Sequence, residues 1–246
     1  MKERLLKLII CPFCAHPLQS KVFKKEVVHG GKASWQEIID GYLTCSCRWY
    51  PIIKGVPRIL PDELLWPIVQ EYYPDYLRHY KNQLPAIPST FISKTDQKKK
   101  TLKGFGYEWK KFPHIYKEYT KQLLSWIYPV APSFFKKKMV LDAGCGTGRH
   151  MHHSVAWGAE TIGIDLSEAV DVAFQQTKHQ EKAYVIQADI YHLPFRKNTF
   201  DYIYSIGVLH HLPSPKKGFH HLVKYLKKIG HISIWVYGRE KNYLLK

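Results

Sequence analysis

The chain has 246 residues, 45% hydrophobic and 23% charged, which excludes a disordered polypeptide and suffices to bury one large core or two smaller ones. Lysine and arginine outnumber aspartate and glutamate 37 to 20, a net charge of +17 that favours anionic partners such as nucleic acid, acidic lipid or phosphorylated small molecules. No apolar run approaches the ~20 residues of a helical membrane span.

The surplus is spread as +6 over residues 1–60, +7 over 61–138 and +4 over 139–246. No aromatic RNA-binding segment accompanies it, so a solvated basic surface is an equally good reading.

The opening stretch "MKERLLKLIICPFC" has basic residues and a short apolar run but no small-residue cleavage site. A cytoplasmic, reducing location is therefore expected, where cysteines are thiols or metal ligands before they are disulfides. Four of the five cysteines fall in the first 47 residues, as Cys11-Pro-Phe-Cys14 and Cys45-Ser-Cys47. Four thiolates suit one structural Zn2+ in a closed tetrahedral site. The single residue between Cys45 and Cys47 is shorter than usual and leaves His16 or His29 as alternative ligands; disulfides are the weaker rival. Strand candidates at 21–30 and 40–45, around Gly30-Gly31, make residues 1–61 a small β-rich module.

Residues 62–138 read as a connecting segment rich in aromatics and prolines. Helices are expected near 66–82 and 115–128, with the polar stretch "SKTDQKKKTLKG" between them as an exposed loop. From residue 139 short apolar runs alternate with helical patterns, the mark of βαβ units on a parallel sheet. The strands are "MVLDA", "ETIGID", "AYVIQA", "FDYIYS" and "HISIWVY". Helices are expected at 148–157, 167–178 and 215–228, the last with Phe219, Leu222, Val223, Leu226 and Ile229 facing the sheet.

"VLDAGCGTGRH" carries the chemistry. A strand runs into Gly144, Gly146 and Gly148 and a helix follows, so a ligand can approach the backbone closely and a carboxylate can rest on its N–H groups. Arg149 stands where a nicotinamide fingerprint needs its third glycine, so that pattern fails. Asp165 ends the next strand, placed to accept hydrogen bonds from both hydroxyls of an adenosine ribose. Asp189 ends the third, where it can accept from an adenine amino group while Ile190 covers the ring. Cys145, inside the loop, reads as packing.

These motifs, with the later "FDYIYSIGVLHHLPSP", resemble class I S-adenosylmethionine-dependent methyltransferases of the type 11 kind over residues 139–237. The resemblance implies an α/β fold with a Rossmann-like, doubly wound, mostly parallel sheet, in which the three glycines line the methionine part of the cofactor and Asp142 helps hold its amino group. The family's sheet has seven strands. Five are counted in residues 139–246, with strands six and seven absent, which leaves a fragment or a reduced variant as readings. Residues 5–61 resemble the zinc-ribbon domain of the tRNA methyltransferase activator subunit, which implies an interaction module. The stretch "FGYEWKKFP" resembles the aromatic segment that covers the cofactor in some such enzymes, with Tyr107 and Trp109 as a lid.

Because a sulfonium already activates its methyl group, the protein mainly aligns the acceptor and excludes water. A base is needed only where the acceptor must lose a proton, and His210 and His211 are the candidates. The acceptor is expected to be a small molecule or a cell-envelope intermediate. An RNA acceptor reached through the zinc module and the basic surface, and a non-catalytic role as a protein partner, are the alternatives.

Overall fold

The computed structural model describes residues 1–31, 33–88 and 118–238. Tyr107 and Trp109 lie outside the described residues. Nine strands among the described residues form one sheet.

The N-terminal part is antiparallel. β1 (Gln19–Gly30) and β2 (Ala33–Thr44) form a long hairpin, followed by β3 (Trp49–Ile53) and β4 (Val56–Ile59). β1 is the outer edge, and it carries Lys21, Lys24 and Lys25 with a register shift at Lys24, devices that discourage further strand pairing. β3 and β4 were hidden in the sequence by Pro51 and Pro57, which argue against strands. Burial decides here: all nine residues of the two strands are buried.

The helical segment differs from the single helix expected at 66–82. α1 (Asp62–Tyr72) stops at Tyr73, and Pro74 opens a second helix, α2 (Pro74–His79). The residue before a proline is driven out of helical geometry, and proline suits the first helical position. α3 (Glu118–Trp126) leads to the parallel strands.

β5 (Met139–Ala143), β6 (Glu160–Asp165), β7 (Ala183–Ala188) and β8 (Phe200–Ile206) pair in parallel at the expected positions. Helices α4 (Arg149–Ala156), α5 (Ala169–Thr177) and α6 (Pro215–Val223) connect them. The helix expected at 215–228 ends five residues early, and β9 (Leu226–Trp235) already begins at Leu226. Pairing of Leu226 with Phe200 and of His231 with Tyr202 leaves the residues between them in a bulge, so Ile229 is 84% exposed instead of facing the sheet. Leu222 does face inward, but Val223 is exposed. Among the described residues no strand follows β9.

The two parts share one sheet and one core. β4 pairs in parallel with β7 through Arg58–Gln187 and Ile59–Ala188. Arg58 is fully buried; it donates to Gln187 Oε1 and the Ile53 carbonyl at 3.1 Å, and it is ion-paired with Asp171 on α5. The Tyr73 hydroxyl donates to the same carboxylate at 2.9 Å. A buried cation is tolerated only when so fully engaged. Trp49, Trp66 and Leu5 pack in the same apolar cluster as Ile162, Ile186 and Phe200.

Candidate active site

The C-terminal ends of β5, β6 and β7 open into one cleft, where open α/β sheets place ligands. Its floor is the glycine loop. Gly144 has φ +94°, and a Cβ there would stand 2.3 Å from a Val208 methyl, so both conformation and space require glycine. The Gly144 and Cys145 N–H groups donate to the Ile164 carbonyl at 2.8 Å, tying the loop to β6. Gly148, also at positive φ, turns the chain into α4.

Asp165 is half-buried at the end of β6. Its Oδ2 accepts from the Gly146 N–H at 3.0 Å, and its Oδ1 accepts from the Ser167 N–H and hydroxyl at 2.9 and 2.7 Å. A carboxylate has about four lone-pair sites. These three bonds fix its direction on the cleft wall and leave capacity for a ligand hydroxyl. Asp189, past the end of β7, is almost fully buried; Oδ1 accepts from the Tyr191 N–H at 3.0 Å and Oδ2 lies 3.3 Å from His192 Nδ1. Ile190 is buried beside it on the same wall.

Asp142 does not line the cleft. It lies behind the loop, 1% exposed, with no well-formed hydrogen bond to either oxygen. Burial pushes its pKa up to about 8, opposed chiefly by the neighbouring Tyr204 hydroxyl. Cys145 is buried as well, and burial drives its thiol far above the usual range, which fits packing and not nucleophilic attack.

His211 lines the cleft and His210 does not. Their rings are 3.9 Å apart, and His210 also packs edge-on against Tyr237. Burial lowers the pKa of both, so both are neutral near pH 7. The sequence reading missed Thr147, Arg149, His150 and Ser167 on the walls. Ser167 had a signal, since Asp-x-Ser after a strand favours a side-chain-to-backbone turn. His150 had none: its burial lowers its pKa to about 3, and this follows from the packing of α4 against Trp126.

The four N-terminal cysteines converge. All four Sγ atoms lie within 4.8 Å of one another, with closest pairs of 3.5 to 3.7 Å. Thiolates bound to zinc at about 2.3 Å would stand roughly 3.8 Å apart in a tetrahedron, so the donor set fits Zn2+. The short Cys45-Ser-Cys47 spacing is accommodated by a turn in which the Cys45 N–H donates to the Arg48 carbonyl at 3.1 Å. Tyr50 Oη sits 3.2 Å from Cys11 Sγ as an outer partner. Neither His16 nor His29 belongs to the group; the His29 carbonyl instead meets His179 Nδ1 at 2.9 Å.

A parallel sheet in the order β7-β6-β5-β8-β9, with a glycine loop after its central strand and an acid after each of the next two, defines the cofactor half of a class I S-adenosylmethionine-dependent methyltransferase. Residues 141–234 match the family described as "Methyltransferase domain", and the chain carries such a domain. It is 26% identical to a tRNA U34 carboxymethyltransferase of Pseudoalteromonas atlantica, across 91% of this chain and 72% of that protein. It is 32% identical to the Vibrio cholerae enzyme of that name, across 74% of this chain and 54% of that protein. The chain thus spans little more than half the length of several curated relatives it matches. Among solved structures, an S-adenosylmethionine-dependent methyltransferase from Mesorhizobium loti is 25% identical, with a TM-score of 0.38, over 41% of this chain and 47% of that one. No helix among the described residues is long and apolar enough to cross a membrane.

Proposed function

We propose that the chain modifies tRNA, using S-adenosylmethionine as donor in the cleft above β5, β6 and β7. The convergence of the glycine loop, Asp165 and Asp189 on one cleft carries the donor assignment. The tRNA assignment is supported by the relatives named for tRNA U34 and by the net charge of +17, since phosphate neutralisation rewards basic surface. The small-molecule or envelope acceptor expected from the sequence has no support among the relatives. A cytoplasmic location belongs to this reading.

S-adenosylmethionine, when bound, supplies a methyl group already activated on sulfur. Asp165 would accept from one ribose hydroxyl with the acceptor capacity left to it, and Asp189 from the adenine amino group with Ile190 against the ring. The N–H groups of Gly144, Cys145, Gly146 and Gly148 are engaged within the protein, so the carboxylate would face Arg149 at the start of α4, on the cleft wall. Asp142, behind the loop, supplies negative charge toward the cofactor's ammonium. His211, neutral at pH 7 and on the cleft wall, would take the proton that an acceptor hydroxyl or ring N–H loses on methyl transfer. His210 packs behind it. Residues 1–61 act as a zinc-held module, residues 62–138 connect it, and residues 139–246 do the chemistry.

The test is incubation of the full, zinc-loaded chain with labelled S-adenosylmethionine and total tRNA, with Asp165→Ala as control. Label in a tRNA nucleoside, absent with the variant, supports the assignment, and the nucleoside mass separates methyl from carboxymethyl. Cofactor binding without transfer to tRNA would overturn the substrate.

A further inference from the structure

The cysteine knuckle and the adenine wall are distant in sequence but locked together. Ile9 bridges Phe195, and the Ile10 N–H donates to the Pro194 carbonyl at 2.9 Å. Both contacts grip the loop that follows Asp189. The knuckle itself, Cys11 to Cys14, then projects Phe13 toward that loop.

Phe13 is 40% exposed, and its ring has specific contacts. It makes two. It stacks on His192, with centroids 5.4 Å apart and planes 22° from parallel. The Arg48 guanidinium, next to Cys47, lies 3.7 Å from the same ring centroid. Arg48 is in turn ion-paired with Asp62 at 3.3 Å. Residues beside both cysteine pairs therefore meet on one aromatic ring, and that ring meets His192.

His192 is 36% exposed in its side chain, while Asp189 is 4% exposed. A half-exposed histidine has rotamers open to solvent, and stacking removes them. In the stacked position Nδ1 is 3.3 Å from Asp189 Oδ2, and the Nδ1–H tautomer donates there. The carboxylate is thereby held between His192 on one oxygen and the Tyr191 N–H on the other.

We propose that Phe13 and His192 are positioning residues that aim the Asp189 carboxylate at the adenine amino group, so that the cysteine module sets the cofactor site's selectivity for adenine. This rests on the reading of Asp189 given above. Neither residue touches the ligand in this scheme. Their effect passes through one hydrogen bond to the carboxylate.

The experiment is calorimetric titration of the full, zinc-loaded chain with S-adenosylhomocysteine and with its analogue in which purine lacks the 6-amino group. The wild type should prefer the amino ligand by roughly tenfold or more. Phe13→Ala and His192→Ala should each reduce that preference several-fold, leave affinity for the analogue unchanged, and keep the zinc content of the wild type. Phe13→Tyr, which retains the stack, should restore the preference. His192 lies outside the knuckle, so its variant reports even where Phe13→Ala fails to fold. Equal loss of affinity for both ligands, or an unchanged preference in His192→Ala alongside a lost preference in Asp189→Ala, overturns the proposal. An unchanged preference in Asp189→Ala overturns the reading of Asp189 itself.

Discussion

Asp142 should make cofactor binding depend on pH. Its carboxyl is fully buried and pushed up to about 8, well above the usual carboxylate range, with burial as the dominant cause. At pH 6 about one molecule in a hundred carries the ionised form, and at pH 7 about one in ten. A ligand ammonium on the glycine loop favours the charged form, so binding draws it toward ionisation. Affinity for S-adenosylhomocysteine should then rise roughly tenfold between pH 6 and 7 and peak near pH 8, where the ligand's own amino group begins to lose its proton. The sign for the free protein is opposite. Its folded pKa lies above the unfolded one, so this group's contribution to stability is greatest below pH 4 and is lost as pH rises through 4 to 8. Asp142→Asn mimics the neutral acid. It should raise the melting temperature of the ligand-free chain at pH 8 and flatten the acid limb of the binding profile. Titration calorimetry at five pH values, with thermal melts of both proteins, checks this. A wild-type affinity that stays flat from pH 6 to 8 would refute the reasoning.

Three further outcomes are expected. Arg58→Met should destabilise the chain by about 3 kcal/mol in urea unfolding, because it strands Gln187 and Asp171; the partial exposure of Asp171 keeps the cost at the low end for a broken buried pair. Gly144→Val should abolish cofactor binding in the same calorimetric assay, since its side chain meets Val208 at a φ no branched residue tolerates. Stripping metal with a strong chelator should lower the melting temperature by several degrees, reversibly on adding Zn2+, and a Cys14→Ser variant should lack the chelator-sensitive increment.

The sequence determined whatever depends on local pattern. The strand, three glycines and helix at 139–156 specify a turn that only glycine permits, and the acids that end the next two strands follow from the period of a βαβ unit. The cysteine pairs were legible because few pairings suit four thiols in a short module, although their spacing left two histidines as rivals. The tertiary structure decided what depends on distant partners. Two prolines disguised β3 and β4, and burial made them strands. Helical spacing at 226 and 229 lost to pairing with β8, because backbone hydrogen bonds to a neighbouring strand outweigh a marginal amphipathic pattern. Asp142 was legible as part of the glycine motif but not as a carboxyl hidden behind it. Above all, no sequence period reports that β4 would join β7, or that Phe13 would rest on His192, 179 residues further along the chain. Such contacts are set by how two hydrophobic faces close over one core, and a linear pattern records each face without its partner.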